Sequence, residues 1–444
     1  MRIFLSPGRR MGAALAGLAA VVLLVAACGS GSSSRPAATG AASAPGSGTG
    51  TITWWASPIT TSGTDPRQLL IAAFEKAHPQ IKIKLVSAPT STDTNRAALT
   101  TQISGGGGPD VYMGDVIWPA QFAHAGLAVN LAKYLPQSYW SRFASGLVKG
   151  ASYHGGIYGA PFFAGQGLFY YRKDLLAEEH LPVPTTWKQV VSESKQLQAA
   201  NLVKYGFVWQ GASYEGLTCN WMEFASDAGA TVLNNSGTKA TIDSKASLKA
   251  LNFMTELIKS GVSPKGEVTF QEPQTTAIFD AGNAAFMRMW DSAYAQAESP
   301  TTSKVAGKVG IEPLPTFAGQ SKPGYSAVGG WNLYINPHSK NVKADLTFIK
   351  FMTSSQAQTI LSTYTIPTVQ SVRTSKAVTS KSPVLAIIGK TKLIDRPSFS
   401  PNYPKVSSAV YTNINAALSG TTSPKSALST AQSHINSAVS GKSF

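Results

Sequence analysis

Two stretches decide the fold: Thr51-Ile52-Thr53-Trp54-Trp55, a β-type run, and Ile81-Lys82-Ile83-Lys84-Leu85, a strict alternation with its lysines on the outward face. Between them Asp65-Pro66 opens a helix, and Leu69, Leu70, Ala73, Phe74 and Ala77 make its apolar face before His78-Pro79 ends it. Strand, helix, strand is a βαβ unit. It forces parallel strands joined by a right-handed crossover.

The same alternation continues along the chain. A helix over about 95–103 leads through a glycine run to the short apolar strand Val111-Tyr112-Met113, then to Gly114-Asp115 and a helix from Pro119 that stops at Gly126. Thr185-Thr186 caps a helix running to about Ala200, and a strand spans about 205–210. Amphipathic helices follow over 246–260, 343–352 and 407–418. The expected class is α/β with open sheets, and two such sheets side by side place a ligand in the crevice between them.

The first 27 residues have another character. Arg2, Arg9 and Arg10 precede an apolar stretch and then Cys28, which describes an export signal too short for a comfortable membrane span. Residues 28–50 are almost all Gly, Ser, Ala, Thr and Pro and are expected to form a flexible tether. Of 444 residues 43% are hydrophobic and 14% charged, which excludes a disordered chain and a polytopic membrane protein. The net charge of +16 is spread thinly without an arginine-rich stripe, so no nucleic-acid partner is expected.

Familiar catalytic patterns are missing. The six histidines are isolated, the glycines at 105–108 lack the Gly-Lys-Ser/Thr of a P-loop, and no Gly-x-Ser-x-Gly elbow occurs. Ser192 to Lys195 fits Ser-x-x-Lys but lies within an amphipathic helix. No metal and no cofactor are expected. What remains is aromatic wealth with sparse carboxylates: Trp54, Trp55, Trp118, Trp209, Trp290 and Trp331, with Trp140, Trp187 and Trp221 read as core. An indole packs on the apolar face of a sugar while Asp, Arg and amide groups meet its hydroxyl rim.

Four segments carry a resemblance. Residues 109–118 (Pro-Asp-Val-Tyr-Met-Gly-Asp-Val-Ile-Trp), 168–175 (Leu-Phe-Tyr-Tyr-Arg-Lys-Asp-Leu), Gly329-Gly330-Trp331-Asn332-Leu333 with its following helix, and Arg396-Pro397 through Gly420 occur in that order. Together they resemble the sugar-binding lipoproteins of ABC importers, extracellular solute-binding protein family 1, in its trehalose- and maltose-like branch. The residues before Cys28, Leu24-Val25-Ala26-Ala27, resemble a lipobox, which implies lipidation of Cys28 and anchoring to the outer face of the bacterial cell membrane.

The resemblance implies a periplasmic-binding-protein-like fold of type II. Two lobes, one from 51–162 and 295–340 and the other from 163–294 and 341–444, would close on a carbohydrate and present it to ABC permease subunits, the protein acting as a monomer. By position it implies that Asp115 grips hydroxyls, that Trp331 with the Gly330 backbone and Trp290 form aromatic walls, and that Arg396 is a basic hydroxyl partner. Arg96 and Trp55 are further candidates. The chain has Gly165 where relatives often place an aspartate, so Gln166 becomes a candidate substitute, and the segment after Trp290 also departs from the family pattern, which makes Asp291 or Tyr294 a candidate to reach the cleft. A secreted glycoside hydrolase, with Asp115 and Asp291 as its carboxylates, is the rival from another class. The same scaffold holding a glycerol phosphate diester is a third reading.

Overall fold

The structure, a computed structural model, describes residues 46–61 and 63–441. The expected signal segment, Cys28 and the tether as far as residue 45 lie outside the described residues. β1 (Gly50–Ala56) and β2 (Ile81–Ser87) pair in parallel, with Ile52 opposite Ile83, and the helix Pro66–Ala77 joins them. Asp65 starts that helix by accepting from the Arg67 amide at 3.0 Å. Leu70 and Phe74, one turn apart, are fully buried, whereas Leu69 is 42% exposed, so the buried stripe is narrower than the sequence suggests.

β3 (Val111–Asp115) lies parallel to β1 on its other side. After a small hairpin of β4 (Ser152–Tyr153) and β5 (Gly156–Ile157) comes β6 (Ala160–Arg172), followed by β7 (Tyr205–Val208), β8 (Ala284–Trp290) and β9 (Val309–Glu312). β10 (Tyr325–Ile335), β11 (Ile366–Pro367) and β12 (Lys392–Ile394) complete the strands. The order is β2-β1-β3-β10-β6-β8-β7, with β9 and β11 pairing on β6 and β12 on β10.

Two separate sheets were expected; the ladder is instead continuous. The 13 residues of β6 and the 11 of β10 are long enough to serve both halves. β6 pairs with β10 through Ala160–Gln166 and with β8 through Gly167–Tyr171. β10 pairs with β12 at its start and with β3 at its end. Alternate residues feed two cores: Tyr112, Phe169, Phe207 and Tyr334 belong to one, and Val111, Leu168, Val208 and Leu333 to the other. Both faces of the sheet are thus covered, as its parallel portions require.

Two segments pack otherwise than the expected lobe assignment. The helix Val342–Met352 lies against β1 and the helix Pro66–Ala77, beside the first-lobe strands. β9 pairs with Phe169–Arg172 of β6, on the edge opposite β8, which puts it with the second-lobe strands. In each case the apolar face of the segment is buried against that neighbour: Phe348 packs on Trp54 and Phe74, and Ile311 is 7% exposed.

Candidate functional site

A cleft opens at the carboxyl ends of β3 and β8, where α/β sheets commonly hold ligands. It encloses about 1210 Å³ of empty space including its open mouth. Asp115 is the last residue of β3 and Trp290 the last of β8. Trp331 pairs with Asp115 across the β10–β3 ladder, and the register shift between Trp331 and Asn332 is an irregularity of the kind that re-aims a side chain. Gly330 lies in the positive-φ region at +123°, and a Cβ there would sit 2.5 Å from the Phe163 carbonyl oxygen. Only glycine suits that backbone.

Six of the ten sequence candidates line this cleft: Asp115, Trp290, Asp291, Gly330, Trp331 and Arg396. Four do not. Trp55 donates its indole N–H to Asn95 at 2.7 Å and packs against one core. Arg96 reaches Asp93, 3.5 Å away on its own helix. The Gln166 side chain accepts from the Thr391 hydroxyl at 2.5 Å, and Tyr294 packs against the other core. Trp54, Trp118 and Trp209, offered by the sequence among its display of indoles, are at most 1% exposed and belong to the cores. Trp140, Trp187 and Trp221 are core as expected.

Arg396 is not a free partner. Its Nη2 lies 2.7 Å from Asp115 Oδ1, and its Nη1 lies 3.3 Å from Asp115 Oδ2 and 3.0 Å from Glu215 Oε1. Asp115 also accepts from Ile117 N and the Thr92 hydroxyl. Glu215, which sequence reasoning missed, accepts from Tyr403 at 2.6 Å and Ser407 at 2.5 Å, and its own N–H donates to Asp93 at 2.8 Å. Burial pushes the Glu215 carboxyl up to about 7, against the opposing pull of Arg396. Three chain segments are thereby tied at the deep end of the cleft. Such a buried cluster holds geometry more surely than it adds stability.

Asp291 is equally committed. Its oxygens accept from Gln166 N at 2.8 Å and the Thr365 hydroxyl at 3.0 Å, and burial raises it to about 7. At the rim, Thr61 donates to Gln296 through both its N–H and its hydroxyl, while Gln296 donates to Asp280 at 2.6 Å. Beneath Trp290 lies Arg288, whose guanidinium carbon is 4.3 Å from the ring centroid. Arg288 makes two bonds to Glu223, at 2.7 and 2.5 Å, and Glu223 also accepts from Ala327 N on β10. None of these partners had a local sequence signature. Glu215 was the most findable, since it follows the carboxyl end of β7 and opens the next helix.

The described residues contain no group of His, Cys, Asp and Glu that could hold a metal ion, and Cys219, at the cleft, is held protonated by burial. Fold and cleft define a two-lobed binding protein. Residues 39–359 match the family model of the bacterial extracellular solute-binding proteins, and the chain belongs to that family. It is 30% identical over 367 residues to a probable ABC transporter-binding protein of Deinococcus radiodurans, covering 80% of this chain and 86% of the relative. A maltose-bound structure of T. maritima MalE3 superposes with a TM-score of 0.79 at 32% identity, covering 87% of this chain and 98% of the other. A solute-binding protein of Thermotoga lettingae bound to α-D-tagatose gives the same TM-score at 23% identity, covering 88% of this chain and 99% of that one, and supports the fold alone. These relatives are binding proteins, not enzymes, which sets the hydrolase reading aside.

Proposed function

We propose that this protein captures a neutral disaccharide or oligosaccharide in the cleft and delivers it unchanged to the permease of an ABC importer. The observation that carries the reading is the pairing of two indole walls, Trp290 and Trp331, with a cleft whose one lining cation among the described residues, Arg396, is already neutralised by Asp115 and Glu215. Stacking surfaces with carboxylates suit sugar hydroxyls, whereas a phosphate diester needs unpaired positive charge. The maltose in the T. maritima relative supports the same class. Ligand contacting both lobes favours the closed form, because only differential contact shifts a conformational population. Export, with lipidation at Cys28 and a tether above the membrane, completes the proposal.

The test is a thermal-shift screen of the exported chain against neutral mono-, di- and oligosaccharides, with glycerol phosphate diesters as the contrasting arm. A ligand that binds only the native state raises its melting temperature. A response to diesters and to no sugar refutes the reading. Loss of labelled palmitate incorporation in Cys28→Ser tests the anchor.

A further inference from the structure

The Trp290 indole is held from several sides by the protein itself. Trp290 ends β8 and lines the cleft, and its carbonyl accepts from the Tyr170 hydroxyl at 2.6 Å. One face of the ring lies over the Arg288 guanidinium, whose carbon is 4.3 Å from the centroid. Along the six-membered ring the backbone of β10 comes close: a Cβ on Gly329 would stand 2.7 Å from Trp290 Cζ3, so even alanine there would push the indole aside. At the five-membered ring the indole N–H donates to the Glu272 carboxylate.

Glu272 is fixed in turn. It opens the helix Glu272–Asp280, and its carboxylate also accepts from its own backbone N–H, from Gln210 Nε2 at 2.6 Å and from the Tyr214 hydroxyl at 2.8 Å. Gln210 Oε1 accepts from Arg288 Nη1 at 2.6 Å and Asn220 Nδ2 at 3.2 Å, which turns its amide nitrogen toward Glu272. The guanidinium under the ring and the carboxylate at its N–H are thus parts of one network, joined through Gln210. A carboxylate offers about four lone-pair sites, and these protein donors fill them, so Glu272 serves the indole and not a ligand hydroxyl.

We propose that Glu272 is a positioning residue for sugar capture: by accepting the indole N–H it fixes the Trp290 ring on the Arg288 guanidinium, so that the opposite face meets the ligand at a set angle. This rests on the sugar reading above, with Trp290 as a stacking wall. An indole free to turn loses that freedom when a sugar packs on it, and a ring held beforehand avoids the loss.

The test joins indole N–H resonances to a double-variant cycle read by calorimetry, with maltose as first probe and the tightest sugar of the screen as second. The chain has nine tryptophans, and the Trp290 resonance is the one lost in Trp290→Phe. Glu272→Met keeps bulk and removes every acceptor; it should move that proton resonance upfield and weaken sugar binding at least fivefold. Trp290→Phe keeps an aromatic wall without an N–H, and in that background Glu272→Met should change affinity less than twofold. Neither a direct bond from Glu272 to the sugar nor a general loosening of the cleft would produce that coupling. If Glu272→Met fails to fold, Glu272→Gln carries the same cycle with a threefold threshold. An unmoved resonance, an unchanged affinity or an equal loss in both backgrounds overturns the positioning role, and when Trp331→Ala still weakens binding the sugar reading stands. An unmodified protein that binds no sugar overturns both.

Discussion

Replacing Arg288 by Met leaves a carboxylate stranded in the core, and the structure sets the size of the effect. Arg288 and Glu223 side chains are 1% and 2% exposed. Methionine fills much of the aliphatic volume but makes none of the bonds, so of Glu223's described partners only the Ala327 N–H, at 3.0 Å, remains. Relief by movement is limited: a Cβ on Gly167 would lie 2.4 Å from both Arg288 Nη2 and Glu223 Oε1, which shows how closely the pair packs on the β6 backbone. Breaking a buried pair from one side costs about 3–5 kcal/mol.

The pH dependence has a definite sign. Burial already holds Glu223 above the ordinary carboxylate range, and loss of Arg288 raises it further. A carboxyl whose folded pKa exceeds its unfolded one contributes stability at low pH that is lost as pH rises through the folded value. The deficit of Arg288→Met should therefore be larger at pH 8 than at pH 5.5 in equilibrium urea unfolding. Arg288→Met/Glu223→Gln keeps an acceptor for Ala327 with no buried charge and should recover much of the loss at pH 8. A single variant less than about 1 kcal/mol below the parent, or a double variant no better than the single one, refutes the reasoning.

Trp331→Ala removes a wall without orphaning a charge, so calorimetry should show at least a tenfold loss of sugar affinity, about 1.4 kcal/mol, with the melting temperature of the free protein nearly kept. Gly330→Ala places a side chain at φ +123° and against the Phe163 carbonyl, and should destabilise by about 1–3 kcal/mol in urea unfolding. Asp291 titrates near pH 7 in the folded protein, so part of the stability present in mild acid is lost as pH rises through 7. Asp291→Asn should flatten the dependence of the urea midpoint between pH 5 and 8, and an unchanged slope counts against the burial argument.

Much of the architecture was legible because it is written periodically. The βαβ unit from 50 to 87, the helix capped at Thr186, and the helix Lys245–Lys259 follow patterns that a linear reading detects. The cleft is not periodic. Arg396 meets Asp115 across 281 positions, and Glu215 is a single residue far from both in sequence. Tryptophan misled for a related reason: Trp54 and Trp55 are neighbours in sequence, yet one is fully buried and neither lines the cleft. The resemblance supplied Asp115 and Arg396 by position, and only the hydrogen bonds showed that each is occupied by the other.

β6 and β10 run through both halves while alternate residues feed opposite cores, so their lengths are far less free to drift than those of the surrounding loops. Inserting one residue between Phe163 and Leu168 would exchange the faces of Leu168, Phe169 and Tyr170 and move Gly167 away from the Arg288–Glu223 pair. Damage would reach both hydrophobic interiors and the cleft floor together. Descendants of this chain can lengthen their connections and recolour their helices, but these two strands must be inherited whole.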